Sequence, residues 1–249
     1  MTALVWDGCV NVRDLGGLPA RDGRVTQFNR IVRADNLRRL SDRGREALVH
    51  HGVTRVVDLR FPEELALDPA GDLPAEVVHI SLLGASRTEE WQAAQNAAMD
   101  EAATADDYLV WSYLDFLERY RERFADAVRA VARAPDGAVV VHCMGGKDRT
   151  GLIAALLLGV AGVEPEVVAA DYALTEDALA ETTEAWIAEA PDEAERRRRT
   201  LLKPAPASVM TAVLQAVEER YGGARAYLRG GGVDDDTLDR VRERLLAAA

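Results

Sequence analysis

The sequence has 249 residues, of which 48% are hydrophobic, so it is long enough to bury a full core and indicates one α/β domain with an insertion. Its net charge of −12 argues against nucleic-acid binding, and an anionic ligand would need a local cluster of cations. The two cysteines, Cys9 and Cys143, lie far apart and predict neither a disulfide framework nor a zinc site.

The N-terminal residues lack a basic segment followed by an apolar one, so we expect no standard secretory signal. The longest apolar run, Leu152 to Val163, is far shorter than the roughly 20 residues that a membrane span needs. We therefore expect no stable membrane insertion and a reducing, cytoplasmic location, with export by another route left open.

The first part of the chain predicts short strands around a polar loop. A strand near the N-terminus is followed by the Gly-containing loop Asn11 to Gly17 and a strand around Arg30 to Arg33. If this loop faces a site, Arg13 could anchor Asp148 or touch a ligand. A plain turn is the other interpretation of the loop.

One helix and one buried strand follow. Ser41 is a typical N-cap and predicts a helix to about His51. Val53 to Leu59 predicts a buried strand, and Asp58 and Arg60 lie at its carboxyl end, where open α/β sheets place their sites. These two side chains could support a site or form a structural ion pair.

The middle of the chain predicts one more strand and two helices. Val77 to Leu82 is the strand, and residues 86–107 form an Ala-, Gln- and Glu-rich amphipathic helix. Tyr108 to Ala132 predicts a single long helix that backs the sheet.

The most informative stretch is an apolar strand, Val139 to His142, that enters a loop and then the apolar helix Leu152 to Val160. Five residues separate Cys143 from Arg149, a spacing that suits a loop wrapped around one phosphate.

In such a loop, the N–H groups of residues from Met144 to Arg149 would point inward, and the helix N-terminus would add positive potential. Gly145 and Gly146 would permit the tight backbone. The thiol of Cys143 is expected to ionise in that field and to attack phosphorus.

The neighbouring side chains have distinct expected roles. Arg149 offers a planar fork of donors to two phosphoryl oxygens, and Lys147 adds a second cation beside the phosphate. Thr150 can donate its hydroxyl to the cysteine sulfur. The ring of His142 could hold the backbone of the loop or support the thiolate.

The C-terminal part predicts helices only. Pro165 begins one helix, and two more are predicted at Ser208 to Tyr221 and Thr237 to Ala248. The basic run Arg196 to Arg199 is typical of a solvated helix face, with an acidic membrane surface or a polyanionic substrate as the alternative.

The string HCMGGKDRTG, from His142 to Gly151, resembles the signature of cysteine-dependent protein tyrosine phosphatases, and its Lys and Asp before the arginine resemble the bacterial PtpB-like branch. Further segments match that family in the same order: Asn11 to Gly17, Arg33 to Asp35, Val57 to Arg60 and Asp171 to Thr175.

The resemblance implies a tyrosine phosphatase-like central mixed sheet flanked by helices, as a single domain over residues 1–249. It also implies a helical lid insertion at residues 86–107, for which an ordinary surface helix is the alternative. It implies phosphomonoester hydrolysis through a cysteinyl-phosphate intermediate, with no metal and no cofactor.

The leaving group needs a proton, and the sequence has no Trp-Pro-Asp loop to supply it. The resemblance puts Asp148 forward as the acid. Asp58 is the second candidate, and an acid of the lid, Asp106 or Asp107, is the third.

Several alternatives stay open at this stage. The phosphorylated partner could be a protein with phosphotyrosine, a phosphoinositide, or a small sugar or nucleoside phosphate. A phosphate-binding module without turnover would keep the same loop. A sulfur transferase or arsenate reductase is disfavoured, because no second redox cysteine lies near Cys143 in the sequence.

Overall fold

A computed structural model describes residues 2–69 and 72–246 of the chain. Within these ranges six strands form one mixed sheet with helices on both faces. The strands are β1 Thr2–Ala3, β2 Arg13–Asp14, β3 Ile31–Ala34, β4 Val53–Asp58, β5 Glu76–His79 and β6 Ala138–His142. The α-helices are α1 Asp42–His50, α2 Pro62–Leu67, α3 Glu89–Glu101, α4 Ala105–Arg119, α5 Arg121–Ala132, α6 Asp148–Ala161, α7 Pro165–Ala188, α8 Glu193–Leu202, α9 Ala207–Tyr221, α10 Ala224–Gly230 and α11 Asp235–Leu245.

Strand β6 lies inside the sheet, whose order is β1-β2-β3-β6-β4-β5. It pairs in parallel with β3 and β4, while β1, β2 and β3 pair antiparallel. All five residues of β6 are buried, as expected for a parallel strand covered on both faces. The carboxyl ends of β3, β4 and β6 therefore meet at one edge of the sheet.

Alternate residues of the central strands supply two cores. Val139 and Val141 of β6 face the larger core, which the helices from α4 onward complete. Val140 faces a smaller core that includes Trp6 and Leu48 of α1. The prediction of an α/β fold with a central mixed sheet flanked by helices is confirmed.

The N-terminal elements follow their local signals. Ser41 accepts a hydrogen bond from the Gly44 N–H at 3.2 Å and caps α1, as its position predicts. The single helix predicted from Tyr108 to Ala132 is wrong, because the chain breaks at Tyr120. Tyr120 has φ −114° and ψ 24°, which redirects α5 so that Phe124 and Val128 enter the core.

The C-terminal region is helical as predicted, and α10 is an additional helix between the two expected ones. Helix α11 ends at Leu245, and the predicted end at Ala248 lies outside the described residues. In the described part of the chain, each helix is too short or too polar to cross a membrane.

Candidate active site

The segment after β6 is a tight loop whose carbonyl groups are held by three other parts of the chain. The Asn36 N–H donates to Met144 O at 3.0 Å, Asn11 Nδ2 to Gly145 O at 2.8 Å, and Arg33 Nη2 to Gly146 O at 2.8 Å. Within the described residues, the N–H groups of residues 144–149 donate to no protein acceptor. The carbonyls of Met144, Gly145 and Gly146 are held on the outside of the loop, so the N–H groups can point inward. At the N-terminus of α6 these N–H groups can bind an anion.

Gly146 is the glycine that this loop requires. Its φ is +67°, and a Cβ built on it would lie 2.6 Å from the carbonyl oxygen of Ala34. A Cβ on Gly145 would meet only Leu179, at 3.7 Å. Both glycines were expected to permit the tight backbone, but only Gly146 has a conformation and a close contact that require glycine.

His142 and Asp58 hold the start of the loop. Nδ1 of His142 lies 3.2 Å from the Cys143 carbonyl oxygen, and Nε2 lies 3.5 Å from Oδ2 of Asp58. Asp58 also receives Nε and Nη2 of Arg60, at 3.0 and 2.7 Å. Of the two roles considered for His142, the structure shows the contact with the loop backbone.

Asp58 is wrongly placed to be the acid, although it was the second candidate. Burial alone would raise its pKa, but hydrogen bonds from His142 and Arg60 hold the pKa well below its ordinary value. Asp58 and Arg60 are each 1% exposed, so this is the structural ion pair that the sequence left open.

Arg13 belongs to a buried cluster beneath the loop and contacts neither Asp148 nor the cavity. Its Nε lies 3.2 Å from Oδ1 of Asp171, whose Oδ2 accepts from Arg33 Nη1 at 2.6 Å. Burial and the neighbouring Arg33 lower the pKa of Arg13 to about 10. The expected contact with Asp148 is wrong, because Asp171 is the counter-charge for Arg13. Arg13 supports the loop through Asp171 and Arg33.

Cys143 and Arg149 lie together at the base of the site. Cys143 is 2% exposed, and the Arg149 guanidinium packs 5.2 Å from the centre of the Phe61 ring. Nη1 and Nη2 of Arg149 each bind one carboxylate oxygen of Glu64, at 2.5 and 3.0 Å. Burial lowers the pKa of Arg149, but Cys143 and Glu64 more than offset this and raise it above its ordinary value.

Glu64 occupies only one edge of the Arg149 fork. Within the described residues, Nε of Arg149 donates no hydrogen bond, and Nη2 has a second proton available. The edge formed by Nε and Nη2 can therefore bind two phosphoryl oxygens while Glu64 holds the other edge.

Two side chains of the loop segment differ from what the sequence predicts. The ammonium of Lys147 donates to the carbonyls of Leu202 and Pro204, the latter at 3.1 Å, because these groups at the C-terminus of α8 need donors. A contact between Lys147 and phosphate stays a prediction. The Thr150 hydroxyl is buried with no partner in the described chain, so its expected bond to the Cys143 sulfur is wrong in this structure.

Asp148 is the candidate acid that faces solvent space. Its side chain is 40% exposed, and Oδ1 accepts a hydrogen bond from the Tyr113 hydroxyl at 2.5 Å. The lid acids make other contacts: Asp106 accepts from Ser208, and the Asp107 carboxylate accepts from the N–H of Thr104, the N-cap of α4. Neither lines the cavity above the loop, so the structure favours Asp148 over them.

A cavity of about 590 Å³ lies above Asp148 and Arg149. Its walls combine aromatic and apolar side chains with polar and charged ones: Phe61, Trp91, Met99, Tyr108, Phe116 and Leu202, together with Gln92, Gln95, Asn96, Ser112, Glu195, Arg87 and Arg198. Such a space suits an apolar or aryl group attached to a phosphate bound in the loop.

Two helices cover this cavity. Helix α3 lies inside the predicted insertion 86–107 and contributes Trp91, Gln95 and Met99 to the cavity. Helix α8 contributes Arg198, which binds Glu195 of the same helix at 2.6 Å. The basic run is therefore not only a solvated face. That either helix opens as a lid stays a prediction.

Glu64 and Tyr113 were not predicted from the sequence, and Arg198 was named only as part of the basic run. Glu64 stands two residues after Pro62 at the start of a helix, a spacing that signals a cap, and it does accept the Phe61 N–H at 2.7 Å. That signal does not show the second contact, with Arg149. Tyr113 had no sequence signal beyond its place in an amphipathic helix. In the described residues, no three His, Cys, Asp or Glu side chains cluster as metal ligands.

A parallel strand that ends in a cysteine, an anion-binding loop and an arginine at the start of a buried helix define a cysteine-dependent phosphatase. The family model of the tyrosine phosphatase family matches residues 4–247, and the chain belongs to that family. The family and enzyme class inferred from the phosphate-loop motif are thereby confirmed.

Named relatives agree with this assignment. The chain is similar to a tyrosine-protein phosphatase of Nostoc commune, with 30% identity over 91% of this chain and 78% of the relative. It is also similar to the triple specificity protein phosphatase PtpB of Mycobacterium tuberculosis, with 28% identity over 96% of this chain and 97% of the relative. A solved structure of Pseudomonas aeruginosa TpbA in complex with pTyr covers 71% of this chain and 90% of its own, with 16% identity and a TM-score of 0.31.

Proposed function

We propose that the protein hydrolyses phosphotyrosine and related aryl phosphate monoesters through Cys143. The observation that carries this proposal is the loop itself, whose N–H groups from Met144 to Arg149 are left without protein acceptors next to a buried thiol. The aromatic side chains Phe61, Trp91 and Phe116 in the cavity that Arg149 also lines support an aryl leaving group.

The reaction has two steps. The thiolate of Cys143 attacks phosphorus, the P–O ester bond breaks, and protonated Asp148 gives its proton to the departing oxygen. Water then attacks phosphorus, the P–S bond breaks, and the Asp148 carboxylate takes the proton. In both steps Arg149 and the loop N–H groups bind the three phosphoryl oxygens and hold phosphorus in line between the attacking and the leaving group.

Phosphoinositides or small-metabolite phosphates are the second candidate substrates. Two arginines, Arg87 and Arg198, line the cavity beyond Arg149 and could bind further anionic groups. The relative from Mycobacterium tuberculosis is named a triple specificity phosphatase, which indicates more than one type of substrate for that protein.

The test is phosphate release by the wild type and Cys143→Ser on phosphotyrosine peptides, phosphoserine peptides, phosphoinositides, and sugar and nucleoside monophosphates. We expect release that depends on Cys143 and is fastest on phosphotyrosine peptides. Preference for a phosphoinositide or one metabolite would select the second candidate. Release no faster than that of the Ser variant on every substrate would leave only a phosphate-binding module.

We also propose a reducing, cytoplasmic location. Both cysteines are free thiols in the structure, and the chemistry requires that Cys143 remain reduced. The fraction of Cys143 that reacts with iodoacetamide immediately after cell lysis would test this proposal.

A further inference from the structure

The geometry points to Tyr113 as a positioning residue that, with Tyr172 behind it, tunes the Asp148 carboxyl for proton transfer. This inference rests on the proposed function and names two residues outside the phosphate loop. It starts from a chain of three hydrogen-bonding groups, in which Tyr172 OH lies 2.7 Å from Tyr113 OH, and Tyr113 OH lies 2.5 Å from Asp148 Oδ1.

Both tyrosines are held rigidly by packing. Each is 1% exposed, and their rings pack edge to face with centroids 6.2 Å apart. Tyr172 also fills the space beside Gly151, where an added Cβ would lie 3.0 Å from its ring. The hydroxyl of Tyr113 is therefore fixed at the edge of the cavity, on the carboxylate that faces the substrate.

The hydroxyls of Tyr113 and Tyr172 can form hydrogen bonds with either protonation state of Asp148. An ionised Asp148 only accepts, so Tyr113 donates to it and Tyr172 donates to Tyr113. A protonated Asp148 can donate to Tyr113, which then donates to Tyr172. Rotation of two O–H bonds converts one arrangement into the other, and no heavy atom has to move. When Asp148 gives up its proton, the two hydroxyls turn back in place, and Tyr113 then donates to the new carboxylate.

The tyrosines themselves stay protonated in this scheme. Burial, with the nearby Asp148 and Tyr172, raises the pKa of Tyr113 well above its ordinary value. Burial and the nearby Asp148 likewise raise the pKa of Tyr172. Neither hydroxyl is therefore the acid, and both act through Asp148.

Other charges also act on Asp148 and are unchanged by a Tyr→Phe substitution. Lys147 Nζ is 3.4 Å from Oδ1 of Asp148, and Arg149 follows it in the chain. Among the described residues, Tyr108 from α4, Glu195 and Arg198 from α8, and Arg87 before α3 line the same cavity as Asp148. Asp35, Arg39 and Lys203 share a second cavity with it, and Cys143 lies beside Arg149 in the loop.

Tyr113→Phe removes the donor and keeps the ring. Because the ionised carboxylate loses a hydrogen bond, Asp148 should keep its proton to higher pH, and the alkaline limb of the kcat profile should move up by about one pH unit. On the acid side of that limb, where Asp148 is protonated in both proteins, kcat should fall roughly tenfold with phenyl phosphate, because the carboxylate formed by proton transfer has lost its donor. The fall should be smaller with p-nitrophenyl phosphate, whose leaving group needs little protonation.

Tyr172→Phe should move the limb in the same direction by a smaller amount, and the double variant should resemble Tyr113→Phe, because Tyr172 acts through Tyr113. Tyr227→Phe is the matched control. Its hydroxyl donates to Leu117 O at 2.6 Å in a remote part of the core, so this variant should lose some stability and keep the pH profile of the wild type.

The outcomes separate this inference from the proposed function. An absence of Cys143-dependent turnover would refute the function, and with it this inference. Turnover with an alkaline limb that disappears in Asp148→Asn, but does not move in Tyr113→Phe or Tyr172→Phe, would refute the inference alone. The inference alone would also be refuted if Asp148→Asn kept the kcat–pH profile of the wild type. If Tyr113→Phe does not fold, the limb of Tyr172→Phe decides the question.

Discussion

At the scale of single residues, Glu64 fixes the orientation of the Arg149 guanidinium. A guanidinium binds two oxygens well only if its plane is fixed, and Glu64 fixes it by binding Nη1 and Nη2 together. Burial raises the pKa of Glu64, but Arg149 more than offsets this, so Glu64 stays ionised at neutral pH. The carboxylate is thus a fixed part of the anion site, on the side of Arg149 away from the phosphate edge.

Glu64→Gln should lower kcat/KM for aryl phosphates about tenfold to a hundredfold, because one charge-assisted contact with Arg149 is lost and an amide N–H faces the guanidinium. Steady-state kinetics would measure this, with Glu63→Gln on the exposed side of α2 as the control. A rise in kcat/KM would instead mean that Glu64 competes with phosphate for Arg149.

The residues that sequence reasoning identified are those whose partners are close in the chain. Cys143 and Arg149 share one loop, so their spacing alone predicts their meeting. Glu64 is 85 residues from Arg149, and Asp171 is 158 residues from Arg13. Such pairs depend on how strands and helices assemble, and this is why Arg13 was assigned to the wrong partner.

At the scale of elements, the loop is shaped by the strand beside it. Gly146 lies against Ala34 and Asp35 at the end of β3, so the backbone can pass only without a side chain. The N–H groups of the loop take their directions from this close approach, and a small displacement there alters the whole anion site.

Gly146→Ala should abolish most turnover and destabilise the fold by about 1–3 kcal/mol, because a Cβ meets backbone atoms at a positive φ. Gly162→Ala is the control, with φ +82° and no atom within 4 Å of the added Cβ. It should cost about 1 kcal/mol and leave kcat/KM unchanged. Equal loss of activity in both variants would contradict the role given to the loop backbone.

Helices α3 and α8 both line the cavity, and opening of either one is a prediction. Helix α8 is joined to the loop through Lys147, whose ammonium binds carbonyls at its C-terminal end. The helix in residues 86–107 was predicted from its composition and the insertion from the family resemblance. The arginines of α8 indicated a solvated helix face, and a polyanionic substrate was the alternative. The break at Tyr120 also lacked a signal, since neither Gly nor Pro marks it.

Vanadate should slow tryptic cleavage at Arg87 and within Arg196 to Arg199, because a filled anion site favours the closed helices. Cleavage at Arg21, an exposed turn residue remote from the site, should keep its rate. Mass spectrometry of the fragments would measure both rates. If cleavage near α3 and α8 is equally slow with and without vanadate, these helices are fixed walls.

At the scale of the whole molecule, buried ion pairs connect the phosphate loop and its neighbours to the rest of the fold. The carboxyl groups of Asp58, Glu64 and Asp171 each have a pKa below its ordinary value, which is 3.8 for Asp and 4.5 for Glu. In each case burial alone would raise the pKa, and the paired cations more than offset it. Removing one partner therefore leaves an unpaired charge in the protein interior, which is strongly destabilising.

The sign of the acid dependence follows from these shifts. A carboxyl with a lowered folded pKa adds stability that is complete above its unfolded pKa and is lost as the pH falls through the folded pKa. The free energy of unfolding should therefore be steady above about pH 5 and decline below about pH 4. Asp35, whose pKa is raised by burial, acts in the opposite direction but is outnumbered.

Urea unfolding from pH 7 to pH 3 would measure this decline. Glu64→Gln should flatten it by removing one of the three carboxyls, whereas Asp42→Asn, at an exposed position, should leave its slope as in the wild type. A free energy of unfolding that increases on acidification would contradict the assignment.

The cluster of Arg13, Arg33 and Asp171 also bears on the order in which the protein is made. During synthesis, the ribosome adds Cys143 and the rest of its loop before it reaches Asp171. Until then, two arginines that belong in the interior have no counter-charge, and Arg33 is not held against the Gly146 carbonyl. The nascent chain thus carries the nucleophile without a formed anion site. Competence for phosphate chemistry arrives only when the C-terminal third has been synthesised and docked.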